Sequence, residues 1–217
     1  MKVELLNITP NAEEHIVQIA RVSSSRKDKK SNAEGLLAYL VQHKHWSPFE
    51  HSHATFEIET SKAIGIQLIR HRSFSFQEFS QRYQDVNKIG SIFEPIELRA
   101  QCEDNRQSST EIINPLIKGS KNTELISANG VINGFLNKSL EVYNQLLEAG
   151  VAREQARMVL PLATKTKIQM TGSIRSWIHF LELRDDSHAQ KEIQLIAKEI
   201  KKQLKKEIPI IAKALKF

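Results

Sequence analysis

The chain has 217 residues, 40% apolar and 26% charged, with a formal net charge of +6; that length supports one large domain or two small ones and a core that buries roughly 70% of the unfolded surface. No apolar run approaches the ~18 residues of a membrane span, and the opening MKVELLNITP has no continuous apolar core of the secretory type, so a soluble cytoplasmic protein is expected. Cys102 is the only cysteine, which excludes internal disulfides and cysteine-rich zinc sites and leaves no well-framed catalytic thiol.

KVELLNI predicts a first strand, and NAEEHIVQIARVS a helix with Ile16, Ile19 and Ala20 on one face. After a polar loop, AEGLLAYLVQH predicts a second helix. HATFEIET alternates Ala54, Phe56 and Ile58 with Thr55, Glu57 and Glu59, the period of a half-buried strand. SKAIGIQLIRHR then turns helical, with Ser61 as its N-cap and Ile64 and Leu68 on one stripe. Residues 85–123 form a polar excursion broken by Pro95, Pro115 and Gly119, with some strand in it. NGVINGFLNKSLEVYNQLLEAG predicts a long helix: Ile132, Phe135, Leu136, Leu140, Tyr143 and Leu147 recur at helical spacing and Gly150 supplies the stop. REQARMVLPLAT opens a short helix that Pro161 ends, KTKIQMTG reads as a strand, and SIRSWIHFLELR as a helix with Ile174, Trp177, Ile178 and Leu181 inward. Helices over roughly 188–206 and 209–216 close the chain. With no repeat, linker or break, the pattern is that of a single α+β domain over 1–217.

Chemistry concentrates in short polar motifs. RHRSFSFQEFSQRY, residues 70–83, carries Arg70, Arg72 and Arg82, whose planar donor forks suit phosphate oxygens. Ser75, Ser80 and Glu78 add groups for a sugar, a phosphate or a ring edge; the plainer alternative is a loop tied by its own ion pairs, such as Glu78 with Arg82. HKHWSPFEH holds His43, His45, Glu50 and His51, but Pro48 keeps a regular helix from aligning the histidines, so a pocket rim is expected in place of a metal site. Trp46 and Phe49 are expected to pack on an aromatic ligand. Arg175, His179 and Glu182 share one helix face, while Arg184, nine residues beyond Arg175, is half a turn out of phase. The two arginines therefore serve different sites, or one site assembled from more than one subunit, unless this is a plain surface helix. Arg153 and Arg157 stand four apart just before Pro161. The sum is a binder of phosphorylated, aromatic-ringed small molecules. A nucleic-acid-binding protein is the rival suggested by a pI of 9.4. Against it, aromatics are only 6%, and the lysines of KEIKKQLKKEI fall at helical spacing as a solvated face.

Arg70-His71-Arg72, Ser75, Ser80 and Arg82 match the pattern RHRxxSxxxxSxR, and SPFEH, REQARMVLPL and IRSWIHFLELRDDSHAQKEI stand around it in order. By these four motifs the chain resembles the flavin-dependent thymidylate synthases. The resemblance implies an α+β fold with a mainly antiparallel sheet flanked by long helices, and a homotetramer with shared active sites. It implies reductive methylation of dUMP to dTMP with FAD as bound cofactor and methylenetetrahydrofolate and NADPH as co-substrates, with no metal, nucleic acid or membrane. Carried over by position, dUMP falls to Gln67, Leu68, Ile69, Arg70, Glu78, Phe79, Ser80, Gln81, Arg82, Arg157 and Arg184. FAD falls to Ser47, Arg70, His71, Arg72, Glu78, Ser173, Ile174, Arg175 and His179, with Ser23 and His45 near the flavin and folate. Arg184 is the expected catalytic group, favouring an ionised or enolate-like pyrimidine, while Ser80 binds substrate without attacking it. Gln77 and Ser173 depart from the family, which commonly has asparagine at both places, so the amide contacts there must be made differently. A catalytically inactive flavin- and nucleotide-binding homologue is the remaining alternative; retention of Ser80, Arg82, Arg157 and Arg184 argues against it.

Overall fold

The computed structural model describes residues 1–23, 32–119 and 124–217. In chain order the elements are β1 (Lys2–Ile8), α1 (Ala12–Arg21), α2 (Ala33–Gln42), a 3-10 turn (Ser47–His51), β2 (His53–Ser61), α3 (Lys62–Leu68), β3 (Ser75–Glu78), a 3-10 turn (Val86–Ile89), β4 (Arg99–Gln101), β5 (Ser109–Ile112), β6 (Leu116–Lys118), β7 (Leu125–Ser127), α4 (Ala128–Glu148), α5 (Arg153–Ala156), a 3-10 turn (Arg157–Val159), β8 (Lys165–Ser173), α6 (Ile174–Arg184), α7 (Lys191–Glu207) and α8 (Pro209–Ala214). The α+β class is as expected. One sheet has the order β1-β2-β8-β3, and β4-β5 and β6-β7 form two-stranded sheets. Pairing is antiparallel for β1 with β2, β4 with β5 and β6 with β7. Most of the polar loop expected between α1 and α2, and residues 120–123 of the expected excursion, lie outside the described residues. No helix among the described residues is long and apolar enough to cross a membrane.

The chain groups into two compact units, one of residues 1–59, 67–77 and 168–217 and one of residues 60–66 and 78–167. In the first unit the alternation of β2 sends Ala54, Phe56 and Ile58 into the core, as the period-2 pattern predicts. The inward face of α6 is Ile174, Trp177, Ile178 and Leu181, all buried, joined by Phe180. Trp177 stacks edge to face on Phe56 and Phe74, at 4.9 and 4.6 Å between centroids, and its indole N–H donates to the Ala54 carbonyl at 3.0 Å. The lysine-rich helix α7 buries Ile193, Ile196, Ala197, Ile200 and Leu204 and packs on α6 and β1. Gln203 on α7 accepts from the Leu5 N–H at 2.8 Å and donates to the Val3 carbonyl at 2.9 Å. In α1 the buried face is Ala12, Glu13, Ile16 and Val17; Ile16 is inward as expected, and Ile19 and Ala20 are half-buried. Glu13 is drawn in because its Oε1 accepts the Ile211 N–H at 2.8 Å in the first turn of α8.

The second unit contains α3 through Ile66, the two hairpins, α4 and α5. Ser61 caps α3, its Oγ accepting from Ile64 N–H at 3.4 Å, as the sequence predicts. Val86, Tyr143 and Ala156 form a buried cluster with Leu140, Leu147 and Leu160 around it. Gly150 takes the left-handed conformation, φ 83°, that ends α4. Phe135 departs from expectation: α4 buries its face through Leu136, Ser139 and Tyr143, and Phe135, outside that row, is 61% exposed. The excursion holds more strand than its composition suggests, with Ile112, Leu116 and Leu125 exposed on its hairpins.

A Cβ on Gly172 would stand 2.4 Å from Phe74 Cδ1 and 2.6 Å from Cε1. The Phe74 ring, held against Trp177, has no room to yield. Gly172→Ala is expected to destabilise the fold by about 1–3 kcal/mol, the cost of overpacking a filled core; urea denaturation of the two proteins checks it.

Candidate functional site

In the first unit α6 sets the geometry. Ser173 is its N-cap, its Oγ accepting from the Ser176 N–H at 3.2 Å while donating to Glu50 Oε2 at 2.6 Å. The other Glu50 oxygen accepts from Arg175 Nη1 at 2.7 Å. The Ser173 hydroxyl, with Arg175, holds the Glu50 carboxyl below the usual carboxylate range against the opposing pull of partial burial. Trp46, Glu50, Ser73, Arg175, His179 and Glu182 line a cleft of about 410 Å³. Its lining comes largely from one face of α6 and carries guanidinium, hydroxyl and imidazole groups, with the Glu50 and Glu182 carboxylates, beside one large ring. That donor set fits a phosphorylated ligand with a flat ring. The Glu50–Arg175 pair is half-exposed; such pairs contribute ~0.2–1 kcal/mol, so a phosphate can claim the arginine.

Three buried residues of the first unit answer the sequence reading differently. Phe49 is 0% exposed, packed edge to face under Trp46 at 5.4 Å, so of the two aromatics only Trp46 faces the cleft. Ile174 is a core side chain whose N–H donates to the Ser52 carbonyl at 2.7 Å and whose carbonyl stands in the first turn of the α6 ladder, so its part is structural. Leu68 is likewise in the core. Ser47, which starts the 3-10 turn, is exposed.

Arg70 and Arg72 are exposed in the turn after α3, and among the described residues neither has an ion-pair partner. His71 between them turns inward, its ring 4.9 Å edge to face from Phe180. Its Nε2 accepts from Arg184 Nε at 2.9 Å. Burial above all, then the Arg184 and His179 charges, bring the His71 pKa down to about 4. Burial also lowers Arg184 from its usual value. The neighbouring acids are engaged elsewhere, Asp185 by Lys201 at 2.8 Å and Asp186 by His188 at 2.7 Å. Gln67 donates through Nε2 to Gln190 Oε1 at 2.6 Å, and exposed Ile69 follows it in the turn.

In the second unit Glu78 is not paired with Arg82. Its Oε1 takes Lys62 Nζ at 2.8 Å and the Thr166 hydroxyl at 2.7 Å, while Arg82 lies 3.9 Å from Glu154, an exposed pair. Phe79 N–H donates to the Lys167 carbonyl at 2.8 Å, and the Ser80 carbonyl accepts from Tyr83 and Gln84, leaving the Ser80 hydroxyl free of such backbone duty. Gln81 is buried with its Nε2 unpartnered among the described residues, a donor that a bound ligand can satisfy. Arg157 Nε donates to the Glu154 carbonyl at 3.3 Å. Lys62, Thr166, Ser73 and Gln190 carried no signal in the sequence. Each is recruited by a partner distant in the chain, as Lys62 is by Glu78 across 16 residues and Gln67 by Gln190 across 123.

Residues 4–210 match the family model described as thymidylate synthase complementing protein. The chain is 41% identical to the probable flavin-dependent thymidylate synthase of Paramecium bursaria Chlorella virus 1, over 99% of each chain. It is 40% identical to the flavin-dependent thymidylate synthase of Synechocystis, over 93% of this chain and 88% of that one. It is 37% identical to that of Thermosipho melanesiensis, over 89% and 81%. With its four motifs on the elements described and matches that run nearly end to end, the chain belongs to the flavin-dependent thymidylate synthase family.

Proposed function

We propose that residues 1–217 act as one cytoplasmic enzyme domain that reductively methylates dUMP to dTMP. Methylenetetrahydrofolate is the carbon donor, FAD the bound cofactor and NADPH the reductant, and the active sites are shared in a homotetramer. Family membership supports the reaction. The observation that carries the reading to this chain's own residues is Arg184. It is a partly buried guanidinium with no carboxylate partner among the described residues, because Asp185 and Asp186 are held by Lys201 and His188.

The uracil ring is a poor electrophile, and Cys102, a half-buried free thiol, lies in the connection between β4 and β5, away from the four motifs. Arg184 against the N3–O4 side of the ring stabilises negative charge as it develops there, with no covalent adduct to the protein. Arg70, Ser80, Arg82 and Arg157 hold the nucleotide, and the guanidinium groups take its phosphate. Ser80 orients and does not attack, since Glu78, committed to Lys62 and Thr166, is no base for it. Arg175, His179 and Ser176 around the cleft, with Trp46 on its wall, would hold the FAD, and Arg72 and the Ser47 turn would add contacts. Bound flavin supplies the reducing equivalents that turn the transferred one-carbon unit into a methyl group.

The deciding assay is dTMP formation by purified protein with FAD, NADPH and methylenetetrahydrofolate, with and without dUMP; a preparation that takes up no flavin and forms no dTMP overturns the reading. Arg184→Ala is expected to keep flavin absorbance and lose about 10²–10³ in kcat, the worth of one preorganised charge-stabilising donor. Cys102→Ala is expected to leave kcat within about twofold of wild type, given its place outside the machinery; a larger loss with folding intact would restore a thiol mechanism.

A further inference from the structure

A carboxylate would hold a catalytic arginine more strongly than any neutral group, yet it would also cancel the charge that the arginine brings to its substrate. The protein places a histidine there. Arg184 is the last residue of α6, at the end of a long flexible side chain, and its Nε donates to His71 Nε2 at 2.9 Å. A lone pair on Nε2 puts the ring proton on Nδ1 and requires the neutral imidazole. The His71 ring is itself held edge to face by two buried aromatics, Phe180 at 4.9 Å and Phe74 at 6.3 Å. Rigidity therefore passes from the aromatic core through His71 to Arg184.

We propose that His71 is the positioning residue for Arg184, an uncharged acceptor that fixes the guanidinium through Nε and leaves its two terminal amino groups to the pyrimidine. This rests on the reading of Arg184 given above. Protonation of His71 removes the lone pair and sets a cation against Arg184 and His179 on α6, with the exposed Arg70 and Arg72 on either side of it in the turn and the Phe74 ring at its edge. The native pKa, about 4, lies below the unfolded value of 6.5. The stability that comes from keeping this buried ring neutral is therefore complete above about 6.5 and is lost as pH falls towards about 4, and the contact with Arg184 is lost with it.

Two measurements test it. Nitrogen NMR of the full chain labelled at histidine is expected to show His71 as the Nδ1–H tautomer titrating near 4, with a midpoint raised in Arg184→Ala. An Nε2–H tautomer, or a midpoint indifferent to Arg184, overturns the contact whether or not the protein turns over. Kinetics on flavin-loaded protein then separate positioning from packing. His71→Phe keeps a ring but no acceptor, and is expected to lose up to about 100-fold in kcat, the cost of a misplaced catalytic group, with KM for dUMP little changed. His71→Gln, whose Oε1 can take the place of Nε2, is expected to recover most of that loss. An unaltered kcat in the Phe variant, or equal losses in both, overturns the positioning role. Failure of wild-type protein to form dTMP while the NMR result holds instead overturns the reaction assigned to Arg184.

Discussion

Trp177 fixes how α6 is rotated about its own axis, and the placing of the first unit's polar groups follows from that. The indole is buried between Phe56 and Phe74 with its N–H on the Ala54 carbonyl, so the helix cannot roll without breaking ring contacts and a buried hydrogen bond together. With the inward stripe pinned, the 100° step per residue decides the rest. Arg175, His179 and Glu182 face the cleft, and Arg184, at the helix end, leans back towards the turn that carries His71. Glu50 and the Ser173 cap hold the other end of the helix. The serine that stands in place of the family's usual asparagine thus has its own employment, locking the first turn of α6 to the Ser47–His51 segment.

Charges at these motifs are sorted by what they are allowed to meet. Carboxylates are engaged by protein groups: Glu50 by Ser173 and Arg175, Glu78 by Lys62 and Thr166, Asp185 by Lys201. Among the described residues several guanidiniums are not neutralised in that way, Arg70 and Arg72 by exposure and Arg184 by having a neutral neighbour. Arg184 is a donor already oriented by His71 beside acids already occupied, a form of preorganisation that lowers the cost of meeting an anionic group.

Much of this was legible in the sequence. The alternation of β2, the stripe of α6, the Ser61 cap and the Gly150 stop depend on residues within a few positions of one another, and local patterns report them faithfully. The four motifs likewise marked the family before any geometry was known. What the sequence hid was the choice of partner. Glu78 had Arg82 close by in the chain yet pairs with Lys62 and Thr166, because the strand that begins at Ser75 turns its carboxylate towards them. Phe49 looked available to a ligand and is instead the floor under Trp46. The Ser75–Glu78 strand itself was missed, since four residues of mixed polarity between two arginine clusters carry too short a period to read.

The two bonds that Gln203 makes with Leu5 and Val3 bear on a different matter. The first strand lies at the margin of its sheet, where outward-pointing amides and carbonyls would otherwise offer a template to any extended chain passing by. A primary amide presents a donor and an acceptor a peptide's width apart, so the glutamine imitates one link of an absent neighbouring strand. Glutamate could satisfy only the N–H and lysine only the carbonyl. A single helix residue thereby closes this border to strand-by-strand accretion at the place where it sits.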